Sequence, residues 1–371
     1  MRRRSLILLT LLLVVAGAPI APTPAGARAP ERCLVFVTTD GLRWQEVFGG
    51  ADEALLDREA GGVADVEALR REFWRPTPAE RRAALMPFTW SVIARRGQLF
   101  GNRTLGSEVR VTNTLNFSYP GYNEMFTGAP DPRIQSNDKV PNPNVTVLEW
   151  LHRKPEFRGR IAAFCTWDVF PSILNSERSG IPVNVGWTPV TTGRITPELA
   201  TLNRLMLDRD PTKGRERPDW LTFAMALEYL RAQRPRLLYV GLDGTDTHAH
   251  NGRYDHYLRT ARQDDEYLKI LWETIESIPA YRGRTTLLVT TDHGRGDGPA
   301  GWRHHGARVA GSEFIWVSAL GPGIRPLGER RATPPITQSQ IAATIAALVG
   351  EDYVRAVPRA APPIADLVPS R

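Results

Sequence analysis

Along the chain, short uniformly apolar runs alternate with longer amphipathic ones. Five runs, at 33–39 (CLVFVTT), 160–165, 236–242, 285–291 and 313–319, are β-branched or apolar and are followed by polar residues. A continuous apolar run of this length reads as a strand buried on both faces. Between them, 83–96, 220–233 and 254–278 carry apolar residues at helical spacing. Strands alternating with helices predict an α/β fold with a mostly parallel central sheet flanked by helices. Two stretches interrupt the rhythm. Residues 52–82 are charged and partly helical, and 184–218 are rich in Pro, Thr and Arg, so both are expected as surface insertions shaping a pocket entrance.

In a sheet of this kind ligands bind beyond the carboxyl ends of the strands. Chemistry should therefore gather just after each apolar run, and it does. CLVFVTT leads into Asp40, LLYVGL into Asp243 and Asp246, and TLLVTT into Asp292 and His293. One Asp after one strand is commonly a turn or cap residue. Three strands delivering carboxylates, two of them with histidines, exceed what capping needs.

The densest segment joins Asp243, Asp246, His248 and His250, donor types that suit a divalent ion such as zinc. His304 and His305 follow Asp292 and His293, so five of the seven histidines fall in these clusters. His152 and His256 lie in helical patterns and read as surface or core residues. A third element runs from Thr112 to Gly128 and contains Ser118, with Pro120 two residues on. Ser118 has two readings. It suits a helix N-cap; the same hydroxyl at a positive helix end also suits a nucleophile beside a phosphoryl group and a metal.

Composition narrows the picture without changing it. The 371 residues, 42% hydrophobic and 23% charged, describe a globular chain with a real core. Arg2, Arg3 and Arg4 precede an apolar run at 6–16 and the small triplet Ala25-Gly26-Ala27, the pattern of an export leader at 1–27. The catalytic domain is then 28–371, exported to a periplasm or secreted. No later stretch is long and apolar enough to span a bilayer. The formal charge of +7 includes the three leader arginines, and the other basic residues are scattered, so nucleic-acid binding is not indicated. Cys33 and Cys165 each lie in an apolar run and are expected as buried free thiols.

Taken together, these residues resemble the alkaline phosphatase superfamily, and most closely its type I phosphodiesterase/nucleotide pyrophosphatase branch, over almost the whole mature chain. Asp40 in TTDGLRW matches the metal-binding Asp after that family's first strand. Ser118, Tyr119, Pro120, Thr127 and Gly128 fit the nucleophile segment at the family's spacing, and Asn137 is the counterpart of its phosphoryl-binding Asn. Asp246, His250 and Gly252 fit the D-x-x-x-H-x-G ligand motif, Asp292 and His293 its Asp-His-Gly, and His305, rather than His304, its last His ligand. The resemblance implies two divalent ions, zinc above manganese or another ion. One would be held by Asp246, His250 and His305, the other by Asp40, Asp292, His293 and the Ser118 oxygen. It also implies in-line attack by Ser118 on a small phosphate-type ester through a phosphoseryl intermediate. Asp243, His248, Tyr122 and His304 become second-layer or substrate residues.

The chain departs from the branch at Gly121-Tyr122, where Asn-His is usual, and Ser stands where diesterases commonly have Thr. No C-x-P-x-R sequence surrounds either cysteine, which speaks against a formylglycine sulfatase. The competing readings are an acyl-transfer triad on Ser118, which lacks a G-x-S-x-G elbow, a phosphomutase or a sulfate- or phosphonate-cleaving relative, and a non-catalytic metal-binding protein on the same scaffold.

Overall fold

A computed structural model describes residues 31–207 and 217–368. The expected leader and part of the 184–218 segment lie outside these residues. The strands, in chain order, are β1 (Cys33–Thr39), β2 (Gln98–Phe100), β3 (Val109–Arg110), β4 (Ile161–Cys165), β5 (Val183–Val185), β6 (Leu237–Leu242), β7 (Thr285–Thr290), β8 (Phe314–Ile315), β9 (Val317–Leu320), β10 (Gly328–Glu329) and β11 (Ile336–Thr337). Eight of them form one sheet in the order β10-β2-β9-β7-β1-β6-β4-β5, and β11-β3-β8 form a small second sheet. The run β7-β1-β6-β4-β5 is parallel, and β9 pairs antiparallel with both β7 and β2. The expected α/β architecture is therefore present.

The helices that matter for the site are α1 (Ser118–Thr127), α2 (Asp219–Gln233), α3 (Gly244–His250), α4 (Tyr254–Ser277) and α5 (Gln340–Leu348). Both faces of the sheet are covered, which explains why β1 is buried at every position and carries no charged residue. Val35 and Val37 pack with Leu258, Ala261 and Leu268 of α4 and with residues of α2. Leu34 and Phe36 face the other way, toward Met125 and Phe126 of α1 and Ile341 and Ile345 of α5. Cys33 and Cys165 are buried and free, in opposite layers.

Three elements differ from the sequence reading. The expected helix over 83–96 is interrupted at Met86, and the chain resumes its helix at Pro87 and widens to a π turn from Thr89. Pro87 stands at the break; it has no N–H and disfavours helical geometry at Met86. The expected strand over 313–319 is two strands in two different sheets, separated at Trp316, whose indole N–H donates to the Leu42 carbonyl. Ser118 is the first helical residue of α1 rather than its cap; extended Phe117 takes that place and no side chain caps the helix. The segment 52–82 carries helices, and its Leu55, Leu69 and Phe73 are buried in the main core. Among the described residues no helix is long and apolar enough to cross a membrane.

Candidate active site

The parallel register brings the ends of β7, β1 and β6, adjacent in the sheet, to one edge. Asp40 follows β1, Asp243 and α3 follow β6, and Asp292 and His293 follow β7. Two clusters of ligand atoms result. Asp40, Asp292 and His293 offer atoms within 4.8 Å of one another, as do Asp246, His250 and His305. Asp246 and His250 are four residues apart on α3, on one helical face, with Nε2 of His250 3.2 Å from Oδ2 of Asp246. The clusters adjoin: the rings of His293 and His305 stack at 3.8 Å.

Each side chain is aimed by a partner. His293 Nδ1 lies 3.0 Å from the Gly294 carbonyl and His305 Nδ1 3.0 Å from the Asn116 carbonyl. In each case the Nδ1–H donates, which leaves Nε2 as the unprotonated donor atom facing its cluster. The Asn116 carbonyl is presented by a loop in which Thr114 and Asn116 both adopt positive φ, at 62° and 53°. For β-branched Thr114 this is a strained conformation of the kind held at functional sites. Buried Glu124 ties that loop to α1 by accepting from Thr112 and Asn113 and from Ser339.

A test of fit comes from buried atoms that lack partners. Among the described residues, none donates a hydrogen bond to the buried Asp40 Oδ1 or Asp292 Oδ2. An ionised oxygen left alone in this setting costs several kcal/mol unless a cation pairs with it, by the order of magnitude for buried charge. Each instead lies 3.4 Å from His293 Nε2. Burial, with Asp292 and Asp246 close by, raises the Asp40 carboxyl well above the usual carboxylate range. Burial and Asp246 likewise push Asp292 up to about 7. Burial acts to raise Asp246 as well, but Arg295, the hydrogen bond from His250, and His293 outweigh it and hold this carboxylate low. Burial lowers His293 to about 4 and, with His293 beside it, His305 to about 3, so both imidazoles are neutral at physiological pH. Carboxylates that repel and neutral imidazoles that point inward are the donor set a divalent ion takes.

Ser118 Oγ is 3.4 Å from His293 Nε2 and borders a cavity of about 380 Å³ with Asn137, Trp167, Asp243, Asp246, His250 and His305. The serine thus touches the first cluster and shares a cavity with the second. Asn137 Oδ1 accepts the Tyr119 N–H at 3.0 Å, an otherwise orphaned donor of the first turn of α1. That contact fixes the amide, so its NH₂ is the group left to donate elsewhere.

The Gly121-Tyr122 pair has a local reason. A Cβ at Gly121 would lie 2.6 Å from the Asp292 carbonyl oxygen, so α1 packs directly on the backbone of the β7 cluster. The Tyr122 hydroxyl donates to Asp40 Oδ2 at 3.1 Å and is buried, so Tyr122 supports a carboxylate and does not face the cavity. Gly41 is constrained similarly: its φ is +59°, and a Cβ there would lie 2.7 Å from Asp246 Oδ1.

Other expected residues separate. His305 joins the cluster while neighbouring His304 is exposed. His248 lines a different, larger cavity beside His256. Arg295, not anticipated from the sequence, is fully buried and pairs with the Asp246 carboxylate and backbone carbonyl. Its only sequence signal is its place two residues after His293, within the run that follows β7.

The mostly parallel sheet flanked by helices has the fold of the alkaline phosphatase superfamily. A mutant of the alkaline phosphatase PafA superposes with a TM-score of 0.58 at 12% identity, covering 92% of this chain and 100% of that one. Murine ectonucleotide pyrophosphatase/phosphodiesterase 5, in an inactive form with AMP, gives 0.52 at 13% identity, covering 90% and 97%. A putative sulfatase from Bacteroides thetaiotaomicron gives 0.51 at 12% identity, covering 86% and 71%. No family model and no curated protein matches the chain in sequence. Likeness at this level carries the fold, and activity has to be argued from the site.

Proposed function

We propose that the chain is an exported two-metal hydrolase of small phosphate-type esters, with Ser118 as nucleophile. The observation that carries this reading is the position of the Ser118 hydroxyl, free of capping duty, beside His293 of one donor cluster and on the cavity lined by the other. Asp40, Asp292 and His293 with the serine oxygen would hold one ion, and Asp246, His250 and His305 the other. Zinc suits the Asp/His donors, with manganese the next choice. When bound, the ions would neutralise phosphoryl charge and favour the ionised serine.

The residues of the chain then divide the work. Ser118 Oγ forms a bond to phosphorus as the bond to the alcohol oxygen breaks on the opposite side, and the alcohol departs with a proton. Water next splits the phosphoserine and restores the hydroxyl. The first turn of α1 places its positive end at the phosphoryl group, and the Asn137 NH₂ donates to a phosphoryl oxygen. Arg295 holds Asp246 in place from behind. Neither cysteine lies at this site; burial pushes the Cys33 thiol up to about 11 and the Cys165 thiol higher, so neither is a nucleophile.

The test is a panel of chromogenic phosphate monoesters, phosphate diesters and sulfate esters, assayed on metal-stripped protein refilled with zinc or manganese. Turnover of at least one phosphate class that depends on added metal is expected. Turnover of sulfate esters alone would overturn the phosphate assignment.

A further inference from the structure

A second cavity of about 820 Å³ adjoins the metal-cluster cavity and shares Asp243 and Thr247 with it. Its walls include Trp187, Trp220, Tyr267, Asp219, His248 and Asp264. We propose that this cavity is a binding site for an organic cation, an amine or ammonium group held among aromatic faces by the Asp264 carboxylate.

The argument starts from two neighbouring acids on α4. Asp265 is buried and fully used: its carboxylate accepts the Phe88 N–H, the Thr89 N–H and the Thr89 hydroxyl at 2.6 to 2.8 Å. Asp264, 1% exposed, lines the cavity, and among the described residues neither of its oxygens has a hydrogen-bond partner. Buried carboxyls without partners are rare because desolvation is not recovered. Burial, with Asp219 and Asp265 nearby, raises the Asp264 carboxyl well above its usual range. Asp219 on the same wall accepts from Thr166 and from the Asp243 and Gly244 N–H groups, which leaves Asp264 as the acceptor in need of a donor.

Among the described residues, the cations lining the cavity do not supply it. Arg217 directs its guanidinium to Thr222, Asn184 and the Cys165 carbonyl. Arg259 pairs with Glu72 at the surface. His248 lies against His256, ring centroids 5.2 Å apart, and makes no hydrogen bond to Asp264. The aromatic surfaces add a second reason for a cation: Trp220 is 51% exposed at the cavity, and an ammonium over an indole face gains cation–π attraction. Because the two cavities share Asp243 and Thr247, a ligand could occupy both, with its esterified group at the clusters and its cationic end at Asp264. The assignment of the cation to the ester's alcohol rests on the hydrolase reading; the cation site itself does not.

The experiment uses the whole protein as Ser118→Ala, treated with chelator so that amine cannot ligate metal, titrated calorimetrically with benzylamine and, separately, with benzyl alcohol at neutral pH. Benzylamine is expected to bind at least about tenfold more tightly than the alcohol, and Asp264→Asn to remove that preference. Equal binding of the two probes, or an unchanged preference in Asp264→Asn, overturns the proposal. Should Asp264→Asn not fold, Trp220→Ala alters an exposed side chain and is expected to weaken benzylamine several-fold; unchanged affinity there overturns the site as placed. The unsubstituted, metal-loaded protein is then given phosphate esters of an aminoalcohol and of its uncharged carbon analogue, with higher kcat/KM expected for the cationic ester. Turnover of esters without benzylamine binding sinks the cation site alone, and benzylamine binding without turnover of any ester sinks the hydrolase reading alone.

Discussion

Replacing Ser118 by alanine is expected to lower phosphate-ester turnover at least roughly a thousandfold, the scale seen when a covalent nucleophile is removed. The fold should hardly notice. Ser118 forms no capping hydrogen bond, and its hydroxyl contacts His293 alone, so a stability change within about 1 kcal/mol is expected. Metal content should also stay near the unsubstituted level, because the six Asp and His donors remain. A structural role for Ser118 would give the opposite pattern, with a lowered melting temperature and turnover within about tenfold of the parent, far short of the loss expected for a nucleophile. Steady-state rates, melting curves and elemental analysis on one preparation separate the two.

The second large effect is loss of metal. Chelation is expected to abolish turnover and to lower the melting temperature by several degrees, since an ion present at about a thousand times its Kd stabilises the folded form by about 4 kcal/mol. Asp292→Asn sharpens this. In metal-free protein the Asp292 carboxyl has a folded pKa near 7, above its unfolded value. The folded state therefore binds more protons between the two values, and stability contributed by this group falls as pH rises through that window. Removing the charge should raise the melting temperature of metal-free protein at pH above about 7, with the gain fading below about 4, where both states carry the proton. With metal present the sign reverses, because a ligand has been lost. Melting curves across pH, with and without zinc, check both halves; an Asp292→Asn protein destabilised equally in both conditions would contradict a metal role for this residue.

Much of this arrangement is legible in the sequence because the fold makes it so. Strands buried on both faces exclude charge, so the first charged residue beyond each one stands out, and Asp40, Asp292 and the adjoining His293 are found that way. The four-residue spacing of Asp246 and His250 is a helical repeat and survives folding unchanged. What is hidden depends on long-range contacts. Nothing local marks Arg295 as a buried partner of Asp246, since arginine after a glycine reads as surface. The 313–319 run is apolar enough for one strand, and only the docking of Trp316 on the Leu42 carbonyl shows where it divides. Asp264 and Asp265 look alike in an amphipathic helix, yet one is satisfied by the backbone after Pro87 and the other faces a cavity. Ser118 reads naturally as a cap, and only the extended backbone of Phe117 shows that the hydroxyl is released from that task.

The most direct measurement is anomalous diffraction from crystals of the zinc-loaded protein grown with vanadate, an analogue of a phosphoryl group in transfer. The account predicts two zinc peaks, one among Asp40, Asp292 and His293 and the other among Asp246, His250 and His305, with vanadium bonded to Ser118 Oγ. A single peak, or vanadium held away from Ser118, would contradict it.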